Sequence, residues 1–149
     1  MKRLRLLLLF LLLAGMVAPA AATLGEAAPS IQKDQVRMRG TLRISQNQAY
    51  SVHELQAPYG TVVREYVSPA SGKVFAVTWQ GPRIPDLQQL LGAYFDQYTR
   101  AVQSRRGHGP LIIQVPGLVV QSAGHQRSFI GRAFLPQEVP SGVSPHTLH

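Results

Sequence analysis

The chain of 149 residues contains no cysteine. That absence excludes disulfides, thiolate metal sites, cysteine nucleophiles and a lipid-modified N-terminal cysteine. Acidic residues are scarce, 7 Asp+Glu against 15 Lys+Arg. Beyond the first two dozen residues no apolar run approaches the length of about 20 that a membrane-spanning helix needs. The sequence also lacks a Gly-x-Ser-x-Gly nucleophile elbow, a phosphate-cradling glycine loop and any internal repeat.

What is present begins at the N-terminus. Met1-Lys2-Arg3-Leu4-Arg5 is cationic, residues 6–14 are an unbroken apolar run, and Pro19-Ala20-Ala21-Ala22 is a helix breaker followed by small residues. This is the anatomy of a secretory signal peptide over residues 1–22, with Ala20 and Ala22 forming the Ala-x-Ala cleavage site. An uncleaved anchor is the competing reading, because residues 6–24 nearly reach spanning length. Pro19 and the alanines favour cleavage, so the expected product is periplasmic or extracellular, with no stable membrane anchor. The three leader cations Lys2, Arg3 and Arg5 account for part of the basicity. Without them 12 Lys+Arg face 7 Asp+Glu, and the net charge falls from +8 to +5. Such a charge suits loose attraction to an anionic envelope polymer. Nucleic acid is not an expected partner, since export removes it and no recognition motif occurs.

The remaining length predicts one domain. Residues 23–35 read as an irregular lead-in, residues 36–135 as a single α+β domain, and residues 136–149, rich in Pro, Gly and Ser, as a loose tail. From Val36 the period is two: Val36, Met38, Gly40, Leu42 and Ile44 share one parity, and Arg37, Arg39, Thr41 and Arg43 the other. A polar loop at residues 45–48 leads to a second strand over 49–56, with Leu42 expected opposite Val52 and Ile44 opposite Tyr50. Pro58-Tyr59-Gly60 turns into a third strand over 61–67, which sets Glu54 opposite Arg64 and His53 opposite Glu65. Residues 73–79 are apolar on both parities, which places them inside the sheet or covered on both faces. Asp86 is an N-cap, with Gln89 placed to reach back to it. Leu87, Leu90, Leu91, Tyr94, Phe95, Tyr98 and Val102 then recur at helical spacing. Strands are expected over 111–115, 118–122 and 127–135, the last two joined as a hairpin. The fold class is therefore α+β: an antiparallel sheet of about four N-terminal strands, one amphipathic helix, then a C-terminal strand pair.

Several motifs carry a resemblance. Gly60-Thr61-x-x-Arg64-Glu65-Tyr66, Gly72-x-Val74-Phe75-Ala76-Val77-x-Trp79-x-Gly81-Pro82 and Pro85-Asp86-Leu87 are joined by Leu91-Gly92-x-Tyr94-Phe95 and Gly124-His125-x-Arg127-x-Phe129-x-Gly131-Arg132-Ala133. Together they resemble an exported bacterial family known as domain of unknown function 2844, over residues 24–143. The resemblance implies a secreted or periplasmic protein and brings no reaction, ligand or catalytic residue.

No metal site and no cofactor is expected. His53-Glu54 opens like a zinc-protease motif, but Ala57 stands where the second histidine belongs. His146 and His149 lie in the expected tail, where only adventitious metal binding would follow. As paired acids, Glu54 and Glu65 are expected to have basic partners that lower their pKa values and spoil a general acid. Two surface groups remain as ligand-binding candidates. Arg37, Arg39 and Arg43 project from one strand face, on which successive same-side positions are roughly 7 Å apart, against the plainer reading of a solvated edge. His125, Arg127 and Arg132 decorate one end of a hairpin and suit a carboxylate or phosphate, against the plainer reading of a polar turn.

The leading expectation is a non-catalytic binding or envelope-assembly accessory protein, whose partner is an anionic envelope polymer or another exported protein. A secreted hydrolase of cell-wall or extracellular polymer, with His125 taking part, is the alternative. A structural envelope subunit is the third.

Overall fold

A computed structural model describes residues 24–107 and 109–149; the expected signal peptide, with Ala20 and Ala22, lies outside the described residues. The alternating segments pair into one seven-stranded antiparallel sheet. Its strands are β1 (Thr41–Gln46), β2 (Ser51–Gln56), β3 (Val62–Val67), β4 (Val74–Gly81), β5 (Leu111–Val115), β6 (Leu118–His125) and β7 (Ser128–Phe134). Their spatial order is β1-β2-β3-β4-β7-β6-β5. The doubly apolar β4 takes the centre, buried on both faces over its first six residues, as its composition requires. Helices α1 (Ile31–Met38), α2 (Leu87–Leu91) and α3 (Phe95–Ser104) contribute to the larger core. That core holds Leu55, Val63, Val77, Trp79, Val120 and Ala133 from one sheet face. The architecture is α+β, with more strands and a different helix layout than the sequence pattern suggests. Among the described residues no helix is long and apolar enough to cross a membrane.

The N-terminal expectations change most. Residues 31–38 are helical, so the strand expected from Val36 begins at Thr41. Ile31 and Asp34 point inward, while Val36 is 76 % exposed. The inward face follows helical spacing, but one of its members is a buried aspartate, so hydropathy alone reads as alternation. Arg39 closes the helix in the left-handed conformation at φ 50°. The lead-in is also ordered: Leu24 N–H donates to Leu90 O, Gly25 N–H to Val74 O and Ala28 N–H to Gly72 O.

In the β1–β2 hairpin Leu42 pairs with Leu55 and Ile44 with His53, not with Val52 and Tyr50. The cause is the turn. Asn47 Oδ1 accepts from the amides of Ala49 and Tyr50, which moves the reversal to residues 47–50. The β2–β3 register is the expected one, with Glu54 opposite Arg64 and His53 opposite Glu65.

Asp86 caps α2 by accepting from Gln89 N–H at 3.1 Å. The single expected helix is interrupted at Gly92, whose φ of 48° and ψ of −118° break the α-helical run. Gln89 does not reach back; its side-chain amide donates to Asp34.

The C-terminal segment is folded onto the opposite sheet face rather than loose. Leu148 joins Tyr66, Phe75, Val119 and Phe134 in a second core. Tyr66 Oη donates to the main-chain oxygen of His149 at 3.0 Å, and Arg132 Nη1 donates to the carbonyls of Pro145 at 3.2 Å and His146 at 2.6 Å. Proline-rich composition concealed this order because the segment is held by side chains of distant strands. Replacing Leu148 with alanine is expected to lower stability by about 2–3 kcal/mol. It should also speed proteolysis within residues 144–149, and urea unfolding with limited digestion checks both effects.

Candidate binding site on the open sheet face

The strand registers place one residue from each of the seven strands on a single rung. It runs Arg43, Glu54, Arg64, Thr78, Arg132, Gln121 and Ile112 in spatial order. This rung lies on the face opposite the helices, because its members alternate with Leu55, Val63, Trp79 and Ala133 of the larger core. The C-terminal segment covers only part of that face. Beside it opens a cavity of about 320 Å³, lined among others by Arg64, Thr78, Ile112, Ile130, Arg132 and His146.

Arg64 and Arg132 flank Thr78 on neighbouring strands, so their Cα atoms stand about 10 Å apart. Arg64 Nε donates to Glu54 Oε2 at 2.8 Å, which aims the guanidinium while leaving its terminal nitrogens available. Arg132 is oriented in the same way by the Pro145 and His146 carbonyls. Thr78 is 4 % exposed, and its hydroxyl, shut off from solvent, lies beside the Tyr66 phenol. The adjacent Tyr66 phenol commits its proton to His149. Burial pushes the Tyr66 pKa up, with Thr78 and Arg64 nearby acting in the opposite direction. No aspartate or glutamate lines the cavity.

The arginines read from the sequence separate in space. Arg37 lies in the last turn of α1, Arg39 at its left-handed cap, and Arg43 on β1. They do not form the expected single-strand stripe, because residues 37 and 39 are not in a strand. His125 ends β6 and Arg127 occupies the following turn at φ 64°. Arg132 pairs with Gln121, four residues along from the His125–Ser128 pair, which is about 13 Å of strand. Arg132 therefore belongs to the cavity, whereas His125 and Arg127 stand at the exposed hairpin tip. Arg64, Thr78 and the C-terminal histidines complete the cavity unannounced. Arg64 reads as a partner of Glu54, Thr78 is hidden in an apolar run, and His146 and His149 sit in an apparent tail.

A second polar group is sealed inside the helix-side core. Asp34 of α1 and Glu65 of β3 are both 0 % exposed, and Gln89 of α2 donates to Asp34. Were both acids ionised, Asp34 Oδ2 and both Glu65 oxygens would have no donor. A proton held on Glu65 and donated to Asp34 resolves this. Burial pushes the Asp34 pKa up to about 6, opposed by the bonds from Gln89 and Glu65 and by the Arg37 charge. Burial and the neighbouring Asp34 push Glu65 well above its ordinary range. The expected lowering of Glu65 by a basic neighbour is thus overturned: facing His53 is itself shifted down by burial, so it offers no compensating charge. Enclosed on all sides, the acids hold structure together and meet no solute. Among the described residues no three His, Asp or Glu side chains converge in a way that would hold a metal ion.

An antiparallel sheet with helices on one face and a partly strapped opposite face that carries a cavity flanked by Arg64 and Arg132 defines an α+β protein. The sequence profile of a family described as protein of unknown function (DUF2844) matches residues 20–148, and the chain belongs to that family. No curated protein and no solved structure matches it.

Proposed function

We propose that the protein is an exported, non-catalytic binding protein that assists an envelope or extracellular component by gripping an anionic group on its open sheet face. The observation that carries this reading is the convergence of Arg64 and Arg132 on one cavity whose lining has no Asp or Glu side chain, the terminal carboxylate of His149 being the one acidic group among the described residues that line it. Guanidinium groups held by other bonds are pre-organised for charge-assisted hydrogen bonding. Export to the periplasm or exterior is supported by the N-terminal leader pattern alone.

The immobilised mature chain should retain an envelope component that elutes as salt rises to about 0.5 M. The Arg64→Gln/Arg132→Gln double variant, shown to be folded, should not retain it. Equal retention by both proteins would place recognition elsewhere.

Strand addition is a second reading, favoured by β1. This edge strand is exposed at every residue except the half-buried Leu42, and an uncovered edge invites pairing. Proline at Ile44 would then abolish retention that the arginine changes leave intact. The hydrolase alternative has less to draw on, since among the described residues the His125 side chain at the hairpin tip has no hydrogen bond or ion pair to orient it.

A further inference from the structure

The cavity has two chemically different sides, and we infer that it takes a small amphipathic anion. A carboxylate or phosphate head would sit between Arg64 and Arg132, with a short aliphatic body against Ile112 and Ile130. This rests on the reading of the open face as the recognition surface and names the ligand class.

Three observations support it. The cationic side is built rather than incidental, because each guanidinium is anchored through one nitrogen, Arg64 by Glu54 and Arg132 by the strap carbonyls. On the other side Ile112 is 63 % exposed and Ile130 50 % exposed, and both line the same cavity. A purely inorganic anion would leave these side chains in water, whereas an aliphatic chain would cover them. The volume of about 320 Å³ lies at the low end for small-molecule pockets and therefore suits a short chain.

Titration calorimetry with octanoate, octyl phosphate, octyl glucoside and inorganic phosphate tests the inference on the mature protein. Octanoate or octyl phosphate should bind one to one, at least tenfold more tightly than either octyl glucoside or inorganic phosphate. Arg64→Gln should weaken that binding about tenfold without disturbing the strap. Vesicles containing phosphatidylglycerol distinguish the sources of the head group. Retention that is lost in Arg64→Gln assigns the head to a lipid, and absence of retention with octyl phosphate binding intact assigns it to a free anion; either supports the site. Equal binding of octyl glucoside, or octanoate affinity unchanged in both Arg64→Gln and the Arg64→Gln/Arg132→Gln double variant, overturns it. If neither amphiphile binds but the double arginine variant still loses the envelope component, the ligand class falls and the broader reading of the face stands.

Discussion

Replacing Glu65 with glutamine is expected to stabilise the protein at pH 8 by about 2 kcal/mol and to flatten its pH dependence. The reason is the sealed pair of acids. Asp34 has a folded pKa of about 6 against 3.8 for the free group, so between these values the folded state binds the extra proton. Stability from this site is fully present below about pH 4 and is lost as pH rises through 6. The loss for Asp34 amounts to about 3 kcal/mol. Glu65 is shifted in the same direction, so its contribution also declines with rising pH, by ~1.4 kcal/mol per unit until it ionises. Glutamine keeps a donor for Asp34 but has no proton to lose. Urea unfolding of the wild type and Glu65→Gln at pH 4, 6 and 8 checks this. A variant less stable than the wild type at pH 8 would show that Glu65 acts there as an ionised partner. Asp34→Asn should remove Asp34's share of the decline between pH 4 and 6, leaving a shallower decline due to Glu65.

The second large effect is expected at Gly131. Its strand neighbour Trp79 is buried and packs in the larger core. A methyl group on Gly131 would overlap Cζ2 and Cε2 of the indole and lie 2.7 Å from its Nε1. The ring is rigid and enclosed, so it cannot yield as a flexible chain end would. Gly131→Ala should therefore lower stability by about 3 kcal/mol, which for a domain of this size lowers Tm by roughly 10 °C. Trp79 is the sole tryptophan, so its emission reports the displacement directly and should shift to longer wavelength. Combining Gly131→Ala with Trp79→Leu should be less damaging than the sum of the two single changes, because the smaller side chain makes room. Full additivity would mean that the glycine is required for some other reason.

Much of the sheet was legible in the sequence, because the Pro58-Tyr59-Gly60 turn marks the start of the third strand and the apolar run over 73–79 reports directly on burial. Local chemistry also spoke clearly where it was self-contained, as in the Asp86 cap and the pairing of Glu54 with Arg64. Reading failed where a tertiary partner reversed the meaning of a residue. Residues 23–35 read as an irregular lead-in, and the alternation from Val36 reads as strand, until burial of Ile31 and of Asp34 against Glu65 and Gln89 makes residues 31–38 a helix. Leu148 looks like part of a tail until Tyr66, Phe75 and Phe134 receive it. The cavity was legible only through Arg132, since its other members come from separate strands and from the strap.

By itself the sequence determined the α+β class, the central place of β4, the β2–β3 register and the exclusion of cysteine chemistry. These follow from properties carried within a few residues: periodicity, turn and cap preference, and composition. The tertiary structure alone decided the strand order, the proton-sharing acids and the cationic open face. Each depends on which distant segments meet, and that is settled by the burial of side chains against one another across the whole sheet rather than by neighbours in the chain.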